Sequence, residues 1–494
     1  MIFSNLSTRK KEVAYTIASN LLLQVVTALC GFILPPLIIG TFGSAVNGMV
    51  ASITQFIAYL NIVEAGVGGA AIAALYKPLA LGDVAGRNGI LSATAKFYNR
   101  SGVLFTVLIF ALAFVYPLIV GGEVDRVQSA LMVLVLGITG AAEFFLIGKY
   151  RVLLTADKKM YVLSLVQLIA TIVNTMFAVI LIKMNCAILV VKLASSLVYL
   201  SRYVLISIYV HKKYRDVDFH AVPDTQAISQ SKNVLVHKIT ALVISYSPIV
   251  LITIFLNLKD ASIYAVYAMI FNAVGNLLYA FGNGAQSFLG QSLVSDSKNH
   301  TVRIFEIYET LFISMTGLVY TLSFVLIIPF MKLYTAKMVD ANYIQPELAG
   351  LFVLVGIITY VRDPSCQSIS AAGHFKQTQW MTIVEMLINL SFSILFIVRF
   401  GLKGLLLGSV ISYSFRLVTD VFYTAKKILN RNPFNTFIKM IVLMIYFSFC
   451  AYFLLKRTTK INSYFDWILF AGIAGILSML PLFTFFFVGR RAYV

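Results

Sequence analysis

Apolar residues recur along the whole chain in runs of about 20, the length that crosses a bilayer as a helix. Short polar segments separate them. Read on that rule, the pattern predicts fourteen spans, at residues 13–39, 46–75, 102–121, 127–149, 160–183, 186–210, 234–256, 261–290, 304–331, 348–371, 378–398, 404–425, 436–456 and 464–488. Several are longer than the hydrocarbon layer is thick, so they tilt or protrude.

The pattern also repeats. Residues 195–213 read SSLVYLSRYVLISIYVHKK and residues 409–427 read SVISYSFRLVTDVFYTAKK. An offset of 214 lays Arg202 on Arg416, Tyr209 on Tyr423 and Lys212–Lys213 on Lys426–Lys427. Offsets of 215 and 216 bring Asn174 to Asn389 and Gly66 and Gly68 to Gly282 and Gly284, a drift that loop insertions produce. Six helices therefore repeat as the next six. Because six is even, the halves share one orientation, related by an axis along the membrane normal with a site between them. The expected fold is an all-α polytopic membrane protein of about fourteen transmembrane helices: two pseudo-symmetric six-helix lobes plus two extra C-terminal helices. The lobes are residues 1–210 and 234–430, joined by a polar inter-lobe linker at 211–233, with the extra pair at 431–494.

Composition agrees with the pattern. Of 494 residues, 60% are hydrophobic and 12% charged, where a soluble domain carries about 25% charged residues. Cys30, Cys186, Cys366 and Cys450 all lie inside apolar runs without redox or metal spacing, which points to packing and not to a disulfide framework. The basic start (Arg9, Lys10, Lys11) leads into an apolar stretch too long for a signal peptide's apolar core, which predicts an uncleaved first anchor.

Charge orients the spans. The net charge is +19, and its basic residues sit in short connections, where membrane topology and anionic lipid head groups explain them and nucleic acid need not. With the N-terminus in the cytosol, cytosolic connections hold more than twice as many Lys and Arg as outer ones. That set includes Lys149, Arg151, Lys158, Lys159, Lys212, Lys213, Arg431 and Lys439. The bias predicts both termini in the cytosol.

No G-x-x-x-x-G-K-[ST] phosphate loop and no metal-ligating motif is present, so the sequence implies no cofactor, no metal and no nucleotide hydrolysis by that route. No loop is long enough for a soluble catalytic domain, which argues against an enzyme. Chemistry falls instead to charges inside the apolar runs: Glu64, Glu143, Arg202, Arg362, Asp363, Glu385, Arg416 and Asp420. Each costs at least a few kcal/mol at depth unless paired or wetted. Arg202, Arg362 and Arg416 are candidate phosphate ligands, because a guanidinium grips phosphate with two parallel hydrogen bonds. His237 and Lys238 are the next candidates. The plain alternative for Arg202 and Arg416 is snorkelling to the interface, with Asp420 neutralising Arg416 one turn away. Arg362-Asp363-Pro364 reads either as a self-neutralising pair at a proline kink or as a hinge presenting Arg362 to substrate. Glu64, Glu143 and Asp363 are candidates for ion coupling, against the alternative of local pairing; Glu385 reads as a helix-packing partner.

Four stretches resemble one family. LIIGTFGSAVNGMVASITQFIAYLNIVEAGVGGAAIAALYKPLALGD (37–83) is similar to the first two helices of bacterial polysaccharide flippases. LLTADKK (153–159) and VRDPSCQSISAAGHFKQT (361–378) resemble that family's helix boundaries, and VHKITALVISYSPIVL (236–251) its seventh helix. In the last, the family often carries a carboxylate near Ser247 and this chain does not. The resemblance covers residues 10–430 and implies the Wzx-like branch of the multidrug/oligosaccharidyl-lipid/polysaccharide (MOP) exporter superfamily. It further implies a flippase moving undecaprenyl-diphosphate-linked sugar repeat units from the cytosolic to the outer leaflet, for capsule, O-antigen or exopolysaccharide assembly. Its implied partners are that lipid-linked oligosaccharide, H+ or Na+, and polymerase and chain-length proteins. The alternatives are a cation-coupled drug exporter of the same superfamily, a peptidoglycan-precursor flippase, and a polysaccharide polymerase or ligase.

Overall fold

A computed structural model describes residues 2–64, 67–228, 232–295, 298–458 and 461–491. Within these, side chains are described except at 2–14, 232–234, 281, 283–288, 293–295, 298 and 480–491. The glycine at position 66 lies outside the described residues.

Among the described residues all regular secondary structure is helical. Its elements are α1 (Ile2–Phe42), α2 (Ser44–Leu60), α3 (Val67–Leu81), α4 (Val84–Ile119), α5 (Arg126–Ala142), α6 (Gly148–Ala156), α7 (Met160–Lys183) and α8 (Ile188–Lys213). After the linker come α9 (Lys232–Phe255), α10 (Leu258–Ser295), α11 (Lys298–Tyr334), α12 (Pro346–Val361), α13 (Asp363–Ala371), α14 (Phe375–Tyr423), α15 (Phe434–Leu455) and α16 (Tyr464–Arg491). Among the described residues, twelve helical segments are long and apolar enough to span a membrane. One of them, Phe375–Leu429, reverses at Gly401, whose φ of 58° and ψ of −138° only glycine adopts without strain, so it counts twice. With the apolar start of α16, the expected polytopic architecture of about fourteen helices is present.

The second expected span, 46–75, is not one helix. It ends at Leu60, tightens into a 3-10 turn over Asn61–Glu64 and restarts as α3. The local sequence explains the break: glycine weakens a helix, and the Glu64 carboxylate is drawn sideways to partners on other helices. Helix ten breaks at Arg362, with Pro364 in the first turn of α13, as the proline kink requires.

The chain forms two compact units, Met1–Ser262 and Ile263–Val494. In the first, the core centres on Met49, Ile53, Leu75, Leu91, Phe105 and Leu153, all buried. Helix α9 packs on α2 here, through Ser52 and Thr253 (2.7 Å) and through Tyr59, which donates to the Val243 carbonyl (2.9 Å). Asn47 donates to Ser262 Oγ at 2.7 Å. Beside it, a Cβ on Gly48 would lie 1.7 Å from the Leu258 carbonyl oxygen, so only glycine permits this approach.

The linker after α8 lies on the first unit. Arg87 reaches both the carboxylate and the carbonyl of Asp216 at 3.0 Å, and Asn88 donates to the same carbonyl. The Arg87 hydrogen bond holds the Asp216 carboxyl below its usual range. Tyr214 donates to Asp157, and burial followed by that bond pushes its phenol upward.

In the second unit, α15 and α16 both pack on α11. Gly317 of α11 lets Phe447 of α15 approach within contact distance, and the Trp467 indole donates to the Leu326 carbonyl (3.1 Å).

Candidate functional site

The first unit gathers four of the sequence candidates around the break between α2 and α3. Glu64, at the end of the 3-10 turn, accepts from Tyr98 Oη at 2.6 Å and from Arg151. Arg151 also meets Glu143 at 3.0 Å, and Arg202 meets Glu143 at 3.6 Å. Arg202 is completed by Gln167 and by the Tyr199 carbonyl (3.0 Å), with its guanidinium over the Tyr199 ring. The result is a chain of alternating charge, Glu64–Arg151–Glu143–Arg202. Lys238 of α9 joins its margin: a Cβ on Gly69 would be 3.4 Å from Lys238 Nζ, while one on the adjacent Gly68 would be 3.5 Å from Glu64 Oε1. His237 is half-buried on α9, its carbonyl accepting from Thr240.

Both carboxylates stand at irregular turns. Glu64 ends a 3-10 segment and Glu143 opens a π-helical one, Glu143–Ile147. Such turns widen or tighten the backbone ladder and recur at functional positions.

The second unit holds Arg362, Arg416 and Asp363. Arg362 pairs with Glu385 at 2.8 Å, and Arg416 reaches the other oxygen of Glu385 at 3.6 Å and Asp420 at 2.7 Å. Arg416, Glu385 and Asp420 are all buried. Arg362 and Asp363 do not neutralise each other. Asp363 accepts from Tyr308 (3.3 Å) and Gln367 (3.2 Å), while Glu385, read as a packing partner, carries two arginines. Asp420 does pair with Arg416 one turn away, and both are buried within the unit.

Three features escaped the sequence reading. Arg151 looked like a cytosolic loop charge, yet it lies eight residues after Glu143, two turns along the same face, and that spacing was the available signal. Tyr98 gave no signal. The third is a buried cluster at Glu309, which meets Arg431, Lys439 at 3.0 Å and Thr436 at 2.6 Å, tying α11 to the start of α15. Glu309 was legible only as a charge near a helix start.

Solved structures supply the fold class. No family model matches the chain, and no curated protein matches it in sequence. The lipid II flippase MurJ, in an inward closed conformation, is similar over 97% of this chain and 100% of its own, with 12% identity and a TM-score of 0.70. An inward-facing multidrug resistance MATE family transporter of the MOP superfamily is similar over 82% of this chain and 94% of its own, at 12% identity and a TM-score of 0.62. The eukaryotic MATE transporter AtDTX14 covers 88% and 99%, at 13% and 0.55. The chain is a multi-pass membrane protein with the fold of the MOP superfamily's transporters.

Proposed function

We propose that this protein is a flippase for undecaprenyl-diphosphate-linked sugar repeat units, working by alternating access in a bacterial inner membrane with both termini in the cytosol. The observation that carries the reading is correspondence along nearly the whole chain with a lipid flippase, where the MATE structures leave part of this chain unmatched. Intramembrane arginines support it. A diphosphate crossing the low-dielectric centre loses its hydration, and an unpaired charge there is heavily penalised. Guanidinium groups replace that hydration with directed hydrogen bonds.

In this reading Arg202 and Lys238, with His237 nearby, and Arg362, backed by Arg416, receive the diphosphate. Glu64, Glu143 and Asp363 exchange H+ or Na+ with the cycle. Because each arginine already has a carboxylate partner, substrate must compete with that partner and does not fill an empty cationic pocket. Polymerase and chain-length proteins would take the product. The test is complementation: Arg202→Ala and Arg362→Ala are expected to fail to restore surface polysaccharide to a flippase-null strain at wild-type membrane levels. Full restoration by both would remove the arginines from the site. A drug exporter of the same fold is the second reading, favoured by the MATE likeness, and efflux of an organic cation by the wild type would support it instead.

A further inference from the structure

The four ion-paired groups of the first unit are electrically balanced, with Arg151 and Arg202 set against Glu64 and Glu143 and Lys238 outside the pairing at the margin. A balanced cluster has little net attraction for an anion, so an anion site here needs a means of shedding negative charge. Arg151 is placed for it. Its side chain is 37% exposed, against 24% for Glu64, 25% for Glu143 and 15% for Arg202, so it is the member an incoming group meets first. It is carried on α6, a nine-residue helix, and three groups hold it: Glu64, Glu143 and the Tyr98 hydroxyl at 3.3 Å.

We propose that Arg151 is a displaceable clamp over an anion site that takes a phosphate or diphosphate head group. In the empty site it neutralises both carboxylates. When Glu64 loses its charge, the Arg151 fork turns from Glu64 to the ligand, while Glu143 retains its bond to Arg202. The clamp rests on the flippase reading for the identity of its ligand.

The surroundings permit that exchange. The titratable and charged groups facing Glu64 are Tyr98 of α4 and Arg151 of α6; those facing Glu143 are Arg151 and Arg202 of α8, with Tyr199 under Arg202. Lys238 of α9 adds a cation beside Gly69. Neutral Glu64 still accepts from Tyr98, so the helix break keeps one of its ties while the cluster gains a net positive charge.

The test measures binding of inorganic pyrophosphate to the full chain in nanodiscs, with sulfate as the control anion. Glu64→Gln keeps the shape and the Tyr98 bond, and is expected to bind pyrophosphate about tenfold tighter than wild type or more, the scale of one added charge near the site. Adding Arg151→Ala should return affinity to the wild-type level or below. Arg151→Lys, which keeps the charge without the fork, should retain only part of the gain and serves if the alanine variant does not fold. Glu64→Gln binding no tighter than wild type overturns the proposal, as does a double variant binding as tightly as Glu64→Gln alone. The flippase reading fails separately. Sugar-lipid transport without the pyrophosphate effect removes only the clamp, and the effect without transport removes only the flippase.

Discussion

Replacing Arg416 with methionine tests whether the buried charges of the second unit form one network. Asp420 is fully enclosed and Glu385 nearly so, and Arg416 Nε lies 2.7 Å from Asp420. In Arg416→Met, Glu385 keeps Arg362 at 2.8 Å, but Asp420 loses its ion-pair partner and, among the described residues, keeps the Cys366 thiol at 3.2 Å and the more distant field of Arg362. Removing one partner of a buried pair costs about 3–5 kcal/mol, because the other charge stays desolvated. For a unit the size of Ile263–Val494, that corresponds to a fall in Tm of about 6–20 °C at about 2–4 °C per kcal/mol. Simple snorkelling would have made the substitution harmless. The assay is thermal unfolding of the purified protein in nanodiscs, with Arg416→Met, Asp420→Leu as the control. That double variant removes both charges, leaves Arg362–Glu385 balanced, and should recover most of the loss, since apolar replacement of a buried pair is often neutral. An Arg416→Met protein as stable as wild type, or a double variant less stable than the single one, would refute the network.

Glu309→Gln should loosen the seat of α15 by a similar amount, about 3–5 kcal/mol, because Arg431 and Lys439 lose their shared carboxylate; hydrogen exchange should rise first in 434–455, and unchanged protection there would disprove the role. Gly48→Val should lower the yield of folded protein, since its Cβ would sit 1.7 Å from the Leu258 oxygen, and normal yield and Tm would count against the close approach. Asp216 has a depressed folded-state pKa, so its contribution is full above the unfolded value of about 3.9 and is lost as pH falls through the folded value. Proteolysis of the 211–228 linker should therefore be flat from pH 8 to about 5 and rise only below about 4. Arg87→Ala should raise cleavage at neutral pH, and a linker equally resistant in that variant would show that Asp216 does not tether it.

Helix number was legible because each span declares itself by length and apolarity, and the reversal at Gly401 fell between two predicted spans. The break at Asn61–Glu64 was not, because hydropathy stays high through it and the cause lies on other helices, at Tyr98 and Arg151. Singling out Glu64, Glu143, Arg202, Arg362 and Arg416 needed only the cost of charge in hydrocarbon. Finding their partners needed three dimensions: Arg151 was hidden by sitting near a basic connection, and Glu385 looked like packing because its arginines come from 23 and 31 residues away in opposite directions along the chain. Arg416 with Asp420 was visible, being a one-turn spacing on one face.

Under the proposed function the protein moves a lipid diphosphate between leaflets. The most direct test is a proteoliposome assay in which a fluorescent undecaprenyl-diphosphate sugar starts in one leaflet and its appearance in the other is read by an impermeant quencher. Wild type is expected to equilibrate the lipid between leaflets far faster than empty vesicles do, with Arg202→Ala and Arg362→Ala slowing it. Exchange by the wild type no faster than in empty vesicles, under imposed proton and sodium gradients of either direction, would rule that function out.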